Sequence, residues 1–157
     1  MDNFISLDGR DYEADMVCEA AVQYLAGKLT NDNPTMSSPV ITRKFVRLKL
    51  AQLEHEEFAV LFLNTRHQLI EFRSMFRGTI DAASVWPREI LKAVLQVNAS
   101  AVILAHNHPS GNAEPSRADR AITRRLIEAL SLIDVRVLDH LVVGSDETVS
   151  FAERGLI

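Results

Sequence analysis

Apolar and polar positions divide the chain into alternating helical and extended stretches. Within residues 11–28, Val17, Ala20, Ala21, Tyr24 and Leu25 recur at helical spacing and predict a first helix, with Gly27 near its stop. Cys18 falls among them, as a small core residue rather than a nucleophile. Asn31, Asp32, Asn33 and Pro34 mark residues 30–36 as a loop or short linker. Ser38 before Pro39 is a good helix start. Ile41, Phe45, Leu48 and Leu53 then fit a helix, against an alternation of Val46, Leu48 and Leu50 that fits a strand; the helix is preferred.

From Phe58 the character changes. Residues 58–63 form a short apolar run that predicts a buried strand, and residues 68–75 its hairpin partner across a turn at 64–67. Residues 79–85 are expected to be extended. Pro87 opens a helix with Ile90, Leu91, Val94, Leu95 and Asn98 on its inner side. Residues 101–105 read as another buried strand, and 106–115 as a loop rich in Pro, Gly and Asn. Residues 116–132 read as an amphipathic helix striped by Ile122, Leu126, Ile127 and Leu130. Strand character returns over 135–143, broken at Asp139-His140, and over 148–151. Helices interleaved with both hairpins and a crossover predict an α/β fold, a mixed β-sheet sandwiched by helices. The strands that begin near Phe58 and Ala101 are expected to be neighbours, with the helix after Ser116 against them.

At 157 residues, the chain suits an N-terminal helix and linker over 1–36 and one globular domain over 37–157. Its 47% hydrophobic content supplies a core. No apolar run is long enough to span a bilayer, so no membrane partner is expected. The mixed, acidic start does not read as a secretory leader, and a single cysteine suits a reducing compartment; the expectation is a cytoplasmic protein. A net charge of −4 counts against general nucleic-acid binding, though a local basic patch is compatible with it. No sequence feature sets an oligomeric state.

The chemistry concentrates in Ala-His-Asn-His-Pro-Ser-Gly-Asn-Ala-Glu-Pro-Ser-Arg-Ala-Asp, residues 105–119. A strand delivers His106 at its end, His108 follows two residues on, and Asp119 lies in the first turn of the next helix. Two imidazoles and a carboxylate suit one catalytic-type Zn²⁺, because three protein ligands leave a fourth position for water. A His-x-His pair alone is common in loops. Ser116 and Asp119 also match a capping box, Ser-x-x-Asp, and the capping and ligand roles can coexist. A zinc deaminase would need a Cys-x-x-Cys pair that one cysteine cannot supply. A non-haem iron oxygenase would use the same ligand types in a different sequence context.

His106-x-His108, seven residues, Ser116, two residues, Asp119 resembles the signature of the JAMM (MPN+) metalloprotease family. The text His-Asn-His-Pro-Ser-Gly with Pro-Ser-x-x-Asp is similar to its RadC-type bacterial branch. So are Glu-Glu-Phe-Ala-Val-Leu-Phe-Leu-Asn from Glu56, Gly-Thr-Ile-Asp from Gly78, Trp-Pro-Arg-Glu-Ile from Trp86 and Asp-His-Leu-Val-Val-Gly from Asp139. The likeness covers Ser38 to the C-terminus. Longer members carry a helix-hairpin-helix region before this domain; the chain resembles the short members.

The resemblance implies a JAB/MPN-like fold with a cytidine-deaminase-like layout, and hydrolysis of peptide or isopeptide bonds at one zinc per chain. The zinc would lower the pKa of its bound water. A glutamate directly before the apolar residue that opens the strand would take that proton and pass it to the leaving amine; the match is Glu57, with Glu56 expected on the opposite face. Ser116 would donate to the oxyanion. The branch name carries a DNA-repair label, which leaves an alternative: a DNA-associated module whose metal is structural. Of the other polar residues, His140 reads first as a satisfied core histidine and second as a support to the metal ligands. His55 and His67 read as surface residues, and Trp86 as a packing residue. Arg117, Arg120 and Arg124 read as a solvated helix face, or, at lower weight, as a site for an anionic partner.

Overall fold

The computed structural model of the chain describes residues 12–30, 38–78 and 85–157. The reading of the N-terminus, the linker at 31–36 and the extended stretch at 79–84 lie outside the described residues. Elements run α1 (Tyr12–Thr30), α2 (Pro39–Leu50), β1 (Glu57–Leu63), β2 (Leu69–Arg77), α3 (Pro87–Val97), β3 (Ala101–Asn107), α4 (Arg117–Ser131), β4 (Arg136–Val143) and β5 (Thr148–Ser150).

The strands form one mixed five-stranded sheet in the order β2-β1-β3-β4-β5. β1 pairs antiparallel with both β2 and β3, and β3 pairs parallel with β4. A parallel pair needs a crossover, and α4 supplies it. β1 and β3 are buried along nearly their whole length, as their unbroken apolar runs require.

Alternation of side chains sorts these strands onto two faces. Ala59, Leu61, Leu63, Ala101, Ile103, Ala105, Leu141 and Val143 point to one side, where they bury Val22 of α1 and Phe45, Val46 and Leu50 of α2. Phe58, Val60, Phe62, Val102 and Leu104 point to the other, against Ile90, Ala93 and Val94 of α3 and Leu126 and Leu130 of α4. Helices therefore cover both faces, the expected α/β sandwich. Among the described residues, no helix is long and apolar enough to cross a membrane.

Local details depart from the sequence expectations for identifiable reasons. α1 runs past Gly27 to Thr30, since an interior glycine costs a helix only about 1 kcal/mol. Its buried side is centred on Val22, with Leu25 and Ala26 partly covered, whereas Val17 and Tyr24 are exposed. The apolar positions of this helix offer two overlapping stripes, and packing on α2 and the sheet selects one. On α3, Ala93 is buried and Leu95 exposed. Trp86 is exposed rather than packed. β3 continues through His106 and Asn107 instead of ending at Ala105. β4 is unbroken at Asp139-His140; a one-residue irregularity at Leu138, between the Val137–Val102 and Asp139–Ile103 pairs, absorbs the change of pattern.

Candidate metal centre

β3 carries the site at its C-terminal end. His106 is buried within the strand, paired with Phe58 of β1 on one side and Val142 of β4 on the other. His108 lies just beyond, where the chain leaves the sheet. The loop that follows is fastened back to the end of β4: His108 N donates to Val143 O at 2.9 Å, and Ser145 N to Gly111 O at 2.9 Å. Gly144 makes that approach possible, because a Cβ there would stand 2.3 Å from Gly111 O and 2.9 Å from Ala113 N.

Asp119 arrives from the start of α4. Ser116 Oγ accepts from Asp119 N at 3.0 Å, and Asp119 Oδ2 accepts from Ser116 N at 2.7 Å. The expected capping box is thus formed, and it fixes the carboxylate that faces the imidazoles. The cap occupies a lone pair of Ser116 Oγ, so the hydroxyl takes part in it as an acceptor.

The three side chains converge. His106 Nε2 and His108 Nε2 are 2.9 Å apart, His106 Nε2 lies 3.3 Å from Asp119 Oδ1, and His108 Nε2 lies 3.4 Å from Asp119 Oδ2. Donors around one tetrahedral ion with bonds of about 2.0–2.1 Å would stand roughly 3.3 Å from one another. Spacing and donor chemistry both fit a single divalent ion held by His106, His108 and Asp119. His108 Nδ1 is 2.7 Å from Asn112 O, a carbonyl that can only accept, so the ring donates there and turns Nε2 inward; in the neutral ring Nε2 is then the nitrogen with a lone pair for an ion.

The electrostatics point the same way. Burial acts to raise the pKa of Asp119, but hydrogen bonds from His106 and His108, with the positive field of His106 and the bond from Ser116, hold it far below the usual carboxylate range. The bond to Asp119 raises the pKa of His108 against its partial burial; Asn112 O, the Asp119 charge and the charge of Glu56 add to the rise. The cluster attracts positive charge, which either a proton or a metal ion can supply.

The structure does not bring Glu57 to this cluster. The Phe58 ring stacks on the His106 ring, 6.1 Å between centroids and 14° between planes, so Phe58 and His106 share a face. The next residue along a strand must point the other way. Glu57 accordingly lies on the Asn107 side, its Oε2 2.9 Å from His55 Nε2 and its N–H donating to Asn107 Oδ1 at 2.8 Å. Glu56, expected on the far face, is the acid whose charge reaches His108.

Sequence reasoning passed over two supports, Asn107 and Thr123, and gave a third, His140, as its second reading. Asn107 is buried and donates to His55 O at 2.9 Å, so it ties the lead into β1 to the end of β3. Thr123, one helical turn beyond Asp119, is buried with its hydroxyl 2.6 Å from His140 Nδ1. His140 is buried between Phe58 and Phe151, and its Nε2 stands 2.8 Å from His106 Nδ1. His140 is the satisfied core histidine expected, and it touches a candidate ligand as well. The turn-by-turn spacing of Thr123 from Asp119 was the available signal for the hydroxyl.

His55 is half-buried against Glu57 rather than on the surface, and His67 Nε2 pairs with Arg136 at 2.8 Å. Of the α4 arginines, Arg120 pairs with Glu114 at 3.4 Å, Arg124 donates to Arg120 O at 3.4 Å, and Arg117 is exposed.

Comparison with known proteins bears on the same residues. A family model described as "RadC-like JAB domain" matches residues 36–156. Two proteins of Vibrio cholerae serotype O1, each called "UPF0758 protein", are 57% identical over 153 residues (95% of this chain, 92% of the relative) and 53% identical over 144 residues (92% and 90%). A protein of the same name from Leptothrix cholodnii is 54% identical over 145 residues, 92% of this chain but 65% of that relative. The chain thus spans most of some relatives and between about half and two thirds of others.

The loop clamp yields a direct test. Gly144→Ala should destabilise the protein by about 1–3 kcal/mol, the usual cost of overpacking. It should also loosen His108, because backbone rather than a flexible side chain must move. An unchanged denaturant midpoint would show that the loop yields without loss.

Proposed function

The chain belongs to the RadC-like JAB domain family, a membership that suggests a metal-dependent, hydrolase-like module, and from that premise we propose that it is a zinc-dependent metallopeptidase or isopeptidase. One observation carries the reading: two imidazole nitrogens and a carboxylate meet within 3.4 Å at the mouth of a strand. His108 and Asp119 each keep part of their surface open to solvent, as a site that admits water and substrate requires. Three protein ligands also leave a coordination position free, which distinguishes catalytic from structural zinc sites.

His106, His108 and Asp119 would hold the zinc, which supplies Lewis acidity, drawing a water's pKa towards neutrality and polarising an amide carbonyl. The chain's own groups account for the proton traffic. Glu56, on the His108 side of β1, takes the proton of the attacking water and delivers it to the departing amine. Glu57 is held by His55 and has the other face of the strand; we assign it no part in the reaction. Ser116, with its hydroxyl proton uncommitted to the cap, donates to the oxyanion. The substrate class is an amide linkage in a peptide or an isopeptide conjugate.

Protein purified without added metal should contain about one zinc per chain, and His106→Ala or His108→Ala should lose it. Full zinc retention in both variants would remove the premise.

The two glutamates separate by activity. On a panel of peptides and amide-linked conjugates, Glu56→Gln should keep its zinc and lower turnover by about 10²–10⁴-fold, the usual worth of a positioned acid–base group. Glu57→Gln should stay within a few-fold of the parent, and the opposite ranking would return the role to Glu57. Ser116→Asp should preserve the cap, since Asp caps about as well as Ser. It should still lower turnover by roughly 10²–10³-fold through the lost donor. If a cellular function survives Glu56→Gln but not His106→Ala, the metal is structural and the hydrolase reading fails.

A further inference from the structure

The contacts between His106, His140 and Thr123 have a direction that the residues themselves determine. Asp119 O is a main-chain carbonyl and can only accept, so the Thr123 hydroxyl, 2.6 Å away, commits its single proton to it. Such bonding back by one helical turn is a common habit of threonine. Only lone pairs of Thr123 Oγ1 then remain for His140 Nδ1 at 2.6 Å, so that nitrogen carries a proton and donates. His140 is fully buried, flanked by the rings of Phe58 and Phe151, an environment that favours the neutral imidazole. A neutral imidazole has one N–H. Its Nε2 therefore accepts, and the partner at 2.8 Å, His106 Nδ1, must donate. When His106 is itself neutral, as a metal ligand must be, its bare nitrogen is then Nε2, the one that faces His108 and Asp119.

We propose that Thr123 and His140 are positioning residues that fix His106 in its Nδ1–H tautomer and so prepare its Nε2 as a metal donor. The inference rests on the metal reading above. The relay begins at a carbonyl, which has no proton to pass on, so it orients rather than conducts. It also couples two ligands: the main chain of Asp119 sets the tautomer of His106, and its side chain shares the same ion. His108 needs no such relay, because Asn112 O performs the task directly. Partners of this kind are usually worth about 10–100-fold in metal affinity.

The test uses Thr123→Val, which keeps the side-chain shape and removes the hydroxyl, with Thr123→Ser as the conservative rescue. Two readouts are needed: the His106 tautomer by nitrogen-15 NMR of the metal-free protein, and zinc affinity by competition with a chelating dye. Wild type and Thr123→Ser should show the Nδ1–H tautomer and bind zinc within a few-fold of each other. Thr123→Val should show mixed tautomers and bind zinc about 10–100-fold more weakly. A Thr123→Val protein that keeps the Nδ1–H tautomer and full affinity overturns the relay and leaves the metal reading standing. A wild type that binds no zinc overturns the metal reading, and the tautomer comparison between the three proteins then decides the relay by itself.

Discussion

The pleat of three adjacent strands governs this molecule. β1, β3 and β4 are hydrogen-bonded neighbours, and each must send successive side chains to opposite faces. Once Phe58, His106 and His140 are packed together on one face, Glu57, Asn107 and Asp139 have the other. The chemical cluster and the structural ties are thereby separated by the thickness of a sheet. On the far side, Asn107 joins the ends of β1 and β3, and Asp139 accepts from Ser150 Oγ at 2.7 Å and Ala152 N at 3.0 Å, which anchors the turn after β5. That turn places Phe151 over His140. A slip of one residue in any of the three strands would exchange the two sets.

Asp119 shows how one residue can serve folding and chemistry without conflict. A carboxylate has several lone-pair directions, and one is enough to receive Ser116 N and close the helix start. A cap of this kind contributes about 1 kcal/mol, far less than the cost of burying an unpaired charge. The imidazoles supply the compensation, which is why the half-buried carboxylate stays ionised.

Much of this was legible in the sequence, and the parts that were not share a cause. The strands at 57–63 and 101–107 announce themselves as uninterrupted apolar runs, and α4 by a capping signal before a clear stripe. The spacing of His106, His108, Ser116 and Asp119 pointed to the cluster through its resemblance to a known family signature, and loop and helix start are local features that keep such a spacing together. Choosing between Glu56 and Glu57 was different. Both lie at the start of the same strand, and only the stacking of Phe58 on His106, a contact across 48 residues of chain, tells which one faces the cluster. Thr123 stayed hidden for the same reason, since its partner lies on β4. The buried stripe of α1 likewise depends on where α2 and the sheet stand.

The loop from His108 to Pro115 has a consequence for how a metal ion would be taken up at this site. His108 is oriented by Asn112 O and Val143 O, His106 by His140, and Asp119 by Ser116, all of them contacts between groups of the chain itself. Small domains organised by zinc gain much of their folding free energy from the metal and come apart when it is withdrawn. Here the candidate ligand atoms are held in place by a sheet and a helix cap, through bonds within the chain itself. An ion entering or leaving such a site would exchange its ligands at a finished surface, at a pace set by ligand substitution rather than by refolding.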